Sequence, residues 1–564
     1  MRQAFRLIWQ CDKRGFILKL LYTVCNSLLP LINLYVLKLL VDAITTAVES
    51  KPVDAMFWGA PLAGYIAAFC GIMLLNRWIG VLNTVNNDVL TQQLTDYINN
   101  IIQTQSVRLD MAYYDNPDYH DTFHRAQQEA AFRPIRILEN TVTVVGSVAA
   151  LAGIAAMLLA SSWQVVAVML VAVLPSFAVR LYKSRRIYRF RRETTQDMRR
   201  TNYYGQLLTN RIFAKEVRAF GLADHFRRLY VDIRARLVQQ LLAISRRLAL
   251  FDAITAILET AAMALVIIFL IRPAISGAMT IGSFVMLFEA FRRGQGHLSS
   301  LVSGVSGLYE HKLFINNLFD FLSLTPSIVS PADPVPFPER VEEVCFDDVT
   351  FSYPDMKQPV LSHFSLTARR GEVTLIEGEN GRGKTTMLKL LLRLYDPQQG
   401  SVRINGIDIR RFDVAELRRN LSVIFQDYVQ FCFTARENIV FGDIGNADDA
   451  QRLAQSIRAA GADAVVDGLV HGLDTPLGRQ FDGGEELSMG QWQRIALARQ
   501  LYSKAQVLLF DEPTAWMDAE ARANFRQTLE ALRADHVILL VQHQTVEAEN
   551  GERRTENRVS PLTY

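Results

Sequence analysis

The sequence predicts a helical membrane domain of six spans, joined through a proline-rich linker to an α/β domain that carries a glycine-rich loop. Six long apolar runs before residue 310 predict the first domain, together with a mean hydropathy of +0.11 in a chain with 21% charged residues. An apolar strand that leads through a glycine-rich loop into an amphipathic helix, at 372–395, predicts the second. A chain of 564 residues has room for two or three domains, so we expect two separate folding units.

The six apolar runs are the candidate membrane spans, because a helix needs about 20 apolar residues to cross about 30 Å of hydrocarbon. They lie near Phe16–Leu40, Phe57–Leu75, Thr141–Ala160, Val165–Leu181, Ala253–Ile271 and Ile281–Val305, and the last is the weakest by hydropathy. Buried core helices would give similar runs, but six of them favour membrane helices. The basic N-terminus precedes a run that is too long for a signal peptide, so we expect a span there.

The connections between the runs alternate between short and long. The long ones, residues 76–136 and 182–245, are rich in Arg, Asp, Glu and Gln. Since basic residues collect on the cytoplasmic side, both connections and both chain termini are expected there. The chain is therefore expected to be a multi-pass protein of the plasma membrane, which is the inner membrane of a bacterium.

Both long connections have helical periodicity that turn residues break once, at 115–117 in the first and at Gly221 in the second. At about 1.5 Å per residue, each helical hairpin would extend roughly 40 Å beyond the bilayer. The tips, Met111–Ala126 and Ala214–Tyr230, carry several aromatic side chains. A merely solvated turn would not need them, so the tips are predicted to contact a cytoplasmic domain.

The helical pattern ends at Ser323–Pro338, where five prolines prevent a helix. This segment is expected to be a linker. The predicted organisation is a transmembrane domain at 1–322, a linker at 323–338, a nucleotide-binding domain at 339–545 and a short polar tail, expected to be disordered, at 546–564.

The glycine-rich segment follows the strand Val373–Ile376 and has the pattern G-x-x-x-x-G-K-T. Such a loop curls its backbone N–H groups around phosphate oxygens, and the next helix adds its N-terminal dipole. The residues predicted to bind a nucleotide here are Gly378, Asn380, Gly381, Gly383, Lys384, Thr385 and Thr386. Lys384 should reach the β- and γ-phosphates, and Thr385 should give its hydroxyl to Mg²⁺.

A second apolar strand, VLLF, ends in the acidic pair Asp511-Glu512. Asp511 is expected to hold Mg²⁺, directly or through water. Glu512 is expected to polarise the attacking water as general base. Many buried strands end in one acidic residue, but a pair of acids after a glycine-rich loop of this kind points to ATP hydrolysis.

The chain resembles half-transporters of the ATP-binding-cassette (ABC) exporter family over nearly its whole length. LSMGQ (Leu487–Gln491) resembles the family signature LSGGQ, Gln426 in VIFQD resembles the Q-loop glutamine, and His543 in VQHQ resembles the switch histidine. Tyr353 in FSYPD resembles the residue that stacks on adenine, and Asp518 in AWMD resembles the D-loop aspartate. The order and spacing of these residues make the resemblance specific.

The two hairpin tips resemble the coupling helices of such exporters. The first contains YYDNP and the second AKEVRAFGL. The residues that the resemblance assigns to coupling are Tyr114, Asp115, Asn116, Pro117, Glu216, Arg218, Phe220 and Gly221.

The resemblance also implies a dimer with two cassettes packed head to tail. ATP held by Lys384 of one chain would be capped by Ser488, Gly490 and the adjacent Gln491 of the other. Gln426 would sense the γ-phosphate and Mg²⁺ and relay to the tips. ATP would close the pair and hydrolysis would reopen it, so that the membrane helices alternate between inward-open and outward-open cavities and export a substrate.

The partner implied by the resemblance is a second copy of this chain or a related half-transporter. A homodimer is favoured because Glu512 and His543 are both present. Three features depart from the family pattern: Met489 in place of a signature glycine, AWMD in place of SALD, and Gln542 where threonine is common. Since the flanking signature residues remain, we expect an active site, with a slowed site as the alternative. The segment after His543 is also short and polar where family members usually continue with further strands and helices.

Ionisable residues inside predicted spans mark the candidate substrate site, because such residues usually face a cavity or each other. Glu259 lies on the fifth span, and Glu289, Arg292 and Arg293 lie on the sixth. A charged or zwitterionic substrate such as a peptide fits this polar band. Glu–Arg pairing between helices, or a water-filled cavity without specific contacts, fits it equally well. The expected cargo is therefore a peptide, possibly modified, or a lipid or drug.

Two other functions share these motifs: an importer built on the exporter fold, as some siderophore transporters are, and a non-transporting regulator switched by ATP. A net charge of +3 gives no case for a nucleic-acid partner. Five scattered cysteines without a CxxC pair indicate neither a disulfide framework nor a zinc site.

Overall fold

A computed structural model of the chain divides into two compact units. It describes residues 2–49, 60–116, 133–159, 193–354, 358–379, 381–514 and 519–542, with Met356, Met517 and scattered positions between 171 and 190. The first unit runs to Val107 and resumes from Thr122 to Ser323. The second unit joins Arg108–Asp121 to the chain from Leu324 onward.

The described part of the chain before residue 323 is almost entirely helical. Its helices are α1 (Arg2–Cys11), α2 (Lys13–Glu49), α3 (Ala60–Arg108), α4 (Met111–Asp115), α5 (Arg133–Leu159), α6 (Thr195–Thr209), α7 (Arg211–Ala219), α8 (Ala223–Ile275) and α9 (Ile281–Leu322). Helices α2, α5 and α9 pack against one another. Their shared core includes Leu34, Ile154 and Phe291, each no more than 2% exposed.

Four helices of the described residues are long and apolar enough to cross a membrane. The qualifying stretches are Lys13–Val48, Leu62–Arg108, Pro134–Leu159 and Ala223–Ile275. Large apolar side chains on them face outward; Trp78 and Ile257 are 67% and 68% exposed. Such exposure suits lipid rather than water. The chain is accordingly a multi-pass membrane protein.

These four stretches correspond to the first, second, third and fifth predicted spans. The fourth, Val165–Leu181, lies almost wholly outside the described residues. The sixth, Ile281–Val305, lies within the continuous helix α9 but does not reach the same apolarity. Its charged and polar residues explain this, since α9 carries Glu289, Arg292 and Arg293. The count of six spans stays a prediction.

The prediction that each long connection breaks once is wrong, because both contain an additional break. In the first, α3 ends at Arg108 and two residues separate it from α4. In the second, Asn210 adopts an extended conformation between α6 and α7, and its side chain accepts a hydrogen bond from the backbone N–H of Ile212 at 3.0 Å. This capping bond offers the backbone an alternative to a continuous helix. The predicted break at Gly221 is present, with φ at 63°.

The second unit contains two four-stranded sheets. The strands are β1 (Glu343–Phe351), β2 (Leu361–Arg369), β3 (Val373–Glu377), β4 (Gln399–Ile404), β5 (Ile407–Asp408), β6 (Leu421–Ile424), β7 (Val507–Asp511) and β8 (Val537–Gln542). An antiparallel sheet has the order β2-β1-β4-β5, and a parallel sheet has the order β3-β8-β7-β6. In a parallel sheet the carboxyl ends of the strands meet at one edge, where ligands bind.

Seven α-helices accompany these sheets in the described part of the second unit after residue 323. They are α10 (Lys384–Leu391), α11 (Val414–Arg419), α12 (Ala435–Val440), α13 (Ala450–Ala459), α14 (Asp463–Asp467), α15 (Met489–Tyr502) and α16 (Ala519–Leu532). The segment between α9 and β1 has neither helix nor strand, in keeping with its prolines.

Candidate nucleotide-binding site

The loop between β3 and α10 is shaped around one lysine. Lys384 is only 7% exposed, and its Nζ donates hydrogen bonds to the carbonyl oxygens of Gly378 and, at 3.4 Å, Gln542. Gly383 has φ at 83°, and a Cβ there would lie 2.7 Å from the side chain of Leu361. Only glycine suits this position. The loop therefore presents its backbone and a buried cation where phosphates would bind; Asn380 lies outside the described residues.

A hydroxyl and a carboxylate meet at the carboxyl end of β7. The Oγ1 of Thr385 donates to Oδ2 of Asp511 at 2.7 Å, and Asp511 is 2% exposed. Burial raises the pKa of Asp511 above its ordinary value, although the hydrogen bond from Thr385 acts in the opposite direction. The sequence predicted both as Mg²⁺ ligands, and the fold brings them together.

The donor chemistry of this pair fits Mg²⁺. Both groups offer hard oxygen donors, and a divalent cation would offset the cost of burying the Asp511 carboxylate. No cluster of three or more His, Cys, Asp or Glu that could hold a metal occurs in the described part of the chain. Magnesium at nucleotide sites usually takes only one or two protein ligands, with phosphates and water completing its shell.

Glu512 is held at the edge of the parallel sheet by its backbone and its side chain. Its φ is 52°, a left-handed conformation that costs a non-glycine residue about 1–2 kcal/mol. Its backbone N–H donates to the carbonyl of Val541 at 3.0 Å. The Nε2 of Gln426 donates to Oε2 of Glu512 at 2.8 Å. The amide of Gln426, predicted to sense Mg²⁺, thus contacts the candidate general base.

Tyr353 lies beside the start of α10. Its hydroxyl and that of Thr386 are hydrogen-bonded at 3.0 Å, and its ring makes an edge contact with Tyr395. The Nζ of Lys389 lies 5.4 Å from the centre of the Tyr353 ring. Sequence reasoning did not identify Lys389 or Tyr395, although Lys389 follows the glycine-rich loop closely on the same helix.

The signature segment forms the N-terminus of α15. Ser488 is the N-cap: its hydroxyl accepts from the backbone N–H of Gln491, while the side chain of Gln491 accepts from the backbone N–H of Ser488 at 2.8 Å. The positive end of the helix dipole lies here, which favours an anion. Gly490 is the second residue of the helix.

Met489, at this end of the helix, contacts the loop that follows Gln426. Its carbonyl oxygen accepts from the hydroxyl of Tyr428 at 2.9 Å, and its sulfur lies 3.4 Å from Nε2 of Gln430. A glycine could not make the sulfur contact. Sequence reasoning missed Tyr428 and Gln430, whose only signal was their place just after Gln426.

Replacing Ser488 by Ala should destabilise the second unit, because it removes the N-cap of α15. A lost N-cap costs about 1 kcal/mol, which corresponds to a fall of about 2–4 °C in the midpoint of thermal unfolding. Thermal unfolding of the purified full chain, followed by intrinsic fluorescence, would measure this fall. Ser488→Thr keeps the hydroxyl and should leave the midpoint nearly unchanged. Equal midpoints for all three proteins would contradict the capping role.

The described part of the first tip packs within the second unit. Ala112 contacts the hydrophobic core around β1, and the hydroxyl of Tyr395 is hydrogen-bonded to the carboxylate of Asp115. Burial and this hydrogen bond raise the pKa of Tyr395, so its hydroxyl stays protonated and donates. Tyr114 is 38% exposed, and Asn116 ends the described part of the tip.

The second tip lies in the first unit. Glu216 and Arg218 lie on α7, and Phe220, which follows it, is 73% exposed. An exposed aromatic ring at a helix end is a candidate contact surface. The other predicted functional residues, Pro117, Asp518 and His543, lie outside the described residues.

The charged residues of the sixth predicted span pair within one helix. Arg292 and Glu289 are joined at 2.8 Å, and Nε of Arg293 lies 3.9 Å from the same carboxylate. Glu–Arg pairing between helices, one of the alternatives for this polar band, is therefore wrong for these three residues, because they pair within α9. Their spacing of three and four positions on α9 explains the pairing. Glu259 lies on α8.

Four asparagines in the membrane helices were missed by sequence reasoning, which considered only ionisable residues. On α2 and α3 they recur at a spacing of seven, and their buried side-chain oxygens have no hydrogen-bond partner among the described residues: Asn26, Asn33, Asn76 and Asn83. The seven-residue spacing was the available signal, since it places each pair on one helix face.

The family comparisons match both parts of the chain. Residues 15–293 match the model described as ABC transporter transmembrane region, and residues 361–515 match that described as ABC transporter.

Relatives of known role align over nearly the whole length. The chain is 26% identical to the subtilin transport ATP-binding protein SpaT of Bacillus subtilis, across 98% of this chain and 89% of SpaT. It is 23% identical to the nisin transport ATP-binding protein NisT of Lactococcus lactis, across 96% and 88%. It is 27% identical to the ATP-dependent lipid A-core flippase of Chromobacterium violaceum, across 98% and 93%.

Among solved structures, the fold is similar to that of a bacterial Atm1-family ABC exporter with ATP bound. The TM-score is 0.75 at 22% sequence identity, and the match covers 95% of this chain and 91% of the other.

Proposed function

Because this chain is a member of the ABC transporter family, with the family's transmembrane region and ATP-binding domain in one polypeptide, we propose that it dimerises and hydrolyses ATP to export a peptide. The observation that carries the proposal is the meeting of three predicted elements at one edge of the parallel sheet. These are the buried Lys384, the Thr385–Asp511 pair at 2.7 Å and the Gln426–Glu512 pair at 2.8 Å. This combination provides a cation, a metal-binding pair and a base.

In the proposed reaction, Lys384 and the loop N–H groups bind the phosphates of ATP. Thr385 and Asp511 would hold Mg²⁺, which would supply positive charge beside the phosphates. Glu512 accepts the proton of the attacking water, and Gln426 orients the Glu512 carboxylate. His543 would complete the site from the end of β8.

The dimer is proposed because each site needs a second signature helix. Ser488 and Gly490 lie at the positive end of α15, which suits the γ-phosphate held by another chain. The chain carries its own Glu512 and His543, so two copies would make two complete sites. We therefore favour a homodimer over pairing with a related half-transporter.

The proposed cargo is a peptide. The relatives named for subtilin and nisin transport align over 98% and 96% of this chain. The charged group on α9, Glu289 with Arg292 and Arg293, would contact charged or zwitterionic parts of the cargo, and Glu259 on α8 is proposed as a further contact. A lipid is the second candidate, favoured by the 27% identity to the lipid A-core flippase. We propose the plasma membrane as the location, with both termini in the cytoplasm.

Transport into inside-out vesicles tests this function. Inside-out vesicles that contain the purified wild-type protein should accumulate a labelled zwitterionic peptide in an ATP-dependent manner, and an unlabelled lipid should not compete. ATP-dependent loss of peptide from the vesicles would instead indicate an importer. ATP hydrolysis that no peptide or lipid stimulates, without transport, would indicate a regulator.

A further inference from the structure

A buried carboxylate, one residue before the first hairpin tip, is hydrogen-bonded to the linker. Asp110 is 9% exposed, and its Oδ2 accepts hydrogen bonds from the backbone N–H of Ser327 at 2.5 Å and from its hydroxyl at 2.7 Å. The backbone N–H of Ile328 lies 3.2 Å from Oδ1. All three residues belong to the second unit. Charge-assisted hydrogen bonds of this kind are stronger than neutral ones.

Asp110 occupies the N-cap position of α4 but does not cap that helix. An aspartate at an N-cap ordinarily accepts from the first turn of its own helix. Here the side chain makes no capping bond to α4. Both carboxylate oxygens accept hydrogen bonds from the linker instead. Capping of α4 is therefore not the reason for an aspartate at this position.

The linker is also fastened to the rest of the second unit. The hydroxyl of Ser330 donates to Oδ2 of Asp413 at 2.8 Å and accepts from the backbone N–H of Val414 at 3.0 Å. The hydroxyl of Tyr113 in α4 donates to the carbonyl of Thr325 at 3.0 Å. The linker thus contacts α4 on one side and the start of α11 on the other.

Asp110 and Ser327 each lie shortly after the end of a long helix of the first unit. Asp110 follows the last residue of α3 by two positions, and Ser327 follows the last residue of α9 by five. A bond between them joins the chain just beyond two long helices of the first unit. Any displacement of the linker therefore acts on the segment that continues α3.

We propose that Asp110 is a positioning residue that clamps the first tip to the linker, so that cassette movement reaches α3 through the linker as well as through α4. This proposal rests on the proposed transport function. A proline-rich linker needs only to connect two domains. With this contact, the linker would also transmit movement.

Hydrogen exchange and transport of the full chain in lipid test the clamp. In Asp110→Ala, the amides of Ser327 and Ile328 should lose at least tenfold in exchange protection. The number of peptides moved per ATP should fall severalfold, while basal ATP hydrolysis stays within twofold of wild type. ATP-dependent changes in exchange at residues 100–108 should also shrink. Asp110→Asn keeps one carbonyl acceptor and should give intermediate values.

Ser330→Ala is the matched control, because it removes linker hydrogen bonds that do not involve the tip. It should leave the exchange protection of Ser327 and Ile328 unchanged. Unchanged protection in Asp110→Ala would overturn the clamp. Lost protection with an unchanged exchange response at 100–108 would overturn its positioning role. That response needs no cargo, so it is separable from a failure of wild-type transport, which would overturn the proposed function.

Discussion

Glu512→Gln should lower ATP hydrolysis by about 10²–10⁴-fold, because glutamine has the shape of glutamate but cannot accept the proton of the attacking water. The amide oxygen of the new side chain can still accept from Gln426, so the local structure should persist. Steady-state phosphate release from the purified full chain in lipid would measure the loss. Binding of a fluorescent ATP analogue should stay near the wild-type level.

Glu520→Gln is the control for this change. Glu520 is an exposed acid in the first turn of α16, so removing its charge should leave hydrolysis within twofold of wild type. Hydrolysis that persists in Glu512→Gln would show that another group takes the proton. The assignment of Glu512 as general base would then be wrong.

Lys384→Met should reduce ATP affinity at least tenfold, because it removes the buried cation of the loop and leaves the apolar stem. In wild type, ATP at 100 times its dissociation constant should stabilise the protein by about 2.7 kcal/mol. With a tenfold loss of affinity, the variant at the same ATP concentration should gain only about 1.4 kcal/mol, roughly half as much. The shift in the thermal unfolding midpoint on adding Mg-ATP measures the stabilisation by ATP in both proteins. The midpoint without ATP checks that the variant still folds.

Lys504→Met provides the comparison for a lysine outside the site. Lys504 is exposed just after the end of α15, so its replacement should preserve the full ATP-induced shift. A full shift in Lys384→Met would contradict a phosphate-binding role for Lys384.

The family and the fold class are confirmed predictions, and both rest on local patterns. The glycine-rich loop was recognisable because its strand, glycines and lysine are consecutive, and the structure gives it the expected strand–loop–helix form. The membrane helices were recognisable where apolar residues are dense. On α9, charged residues such as Glu289 and Arg292 dilute that signal, so hydropathy alone does not identify this helix as a span.

Partners distant in sequence could not be predicted. The hydrogen bond between Asp115 and Tyr395 joins residues 280 positions apart, and that between Asp110 and Ser327 joins residues 217 apart. Asp110 lies at the N-cap position of α4, yet its side chain bonds to the distant linker and makes no capping bond to α4. The hydrogen bond between Gln426 and Glu512 likewise joins residues 86 positions apart.

The sequence by itself determined the division into membrane and α/β parts, the glycine-rich loop and the acidic pair. Hydrophobic periodicity and loop chemistry are properties of consecutive residues, so they can be read along the chain. The tertiary structure decided which groups Asp110 binds, the contact between Met489 and Tyr428, and the bond between Tyr395 and Asp115. A polar side chain binds whichever donor or acceptor packing brings within about 3 Å, and that choice exists only in the folded chain.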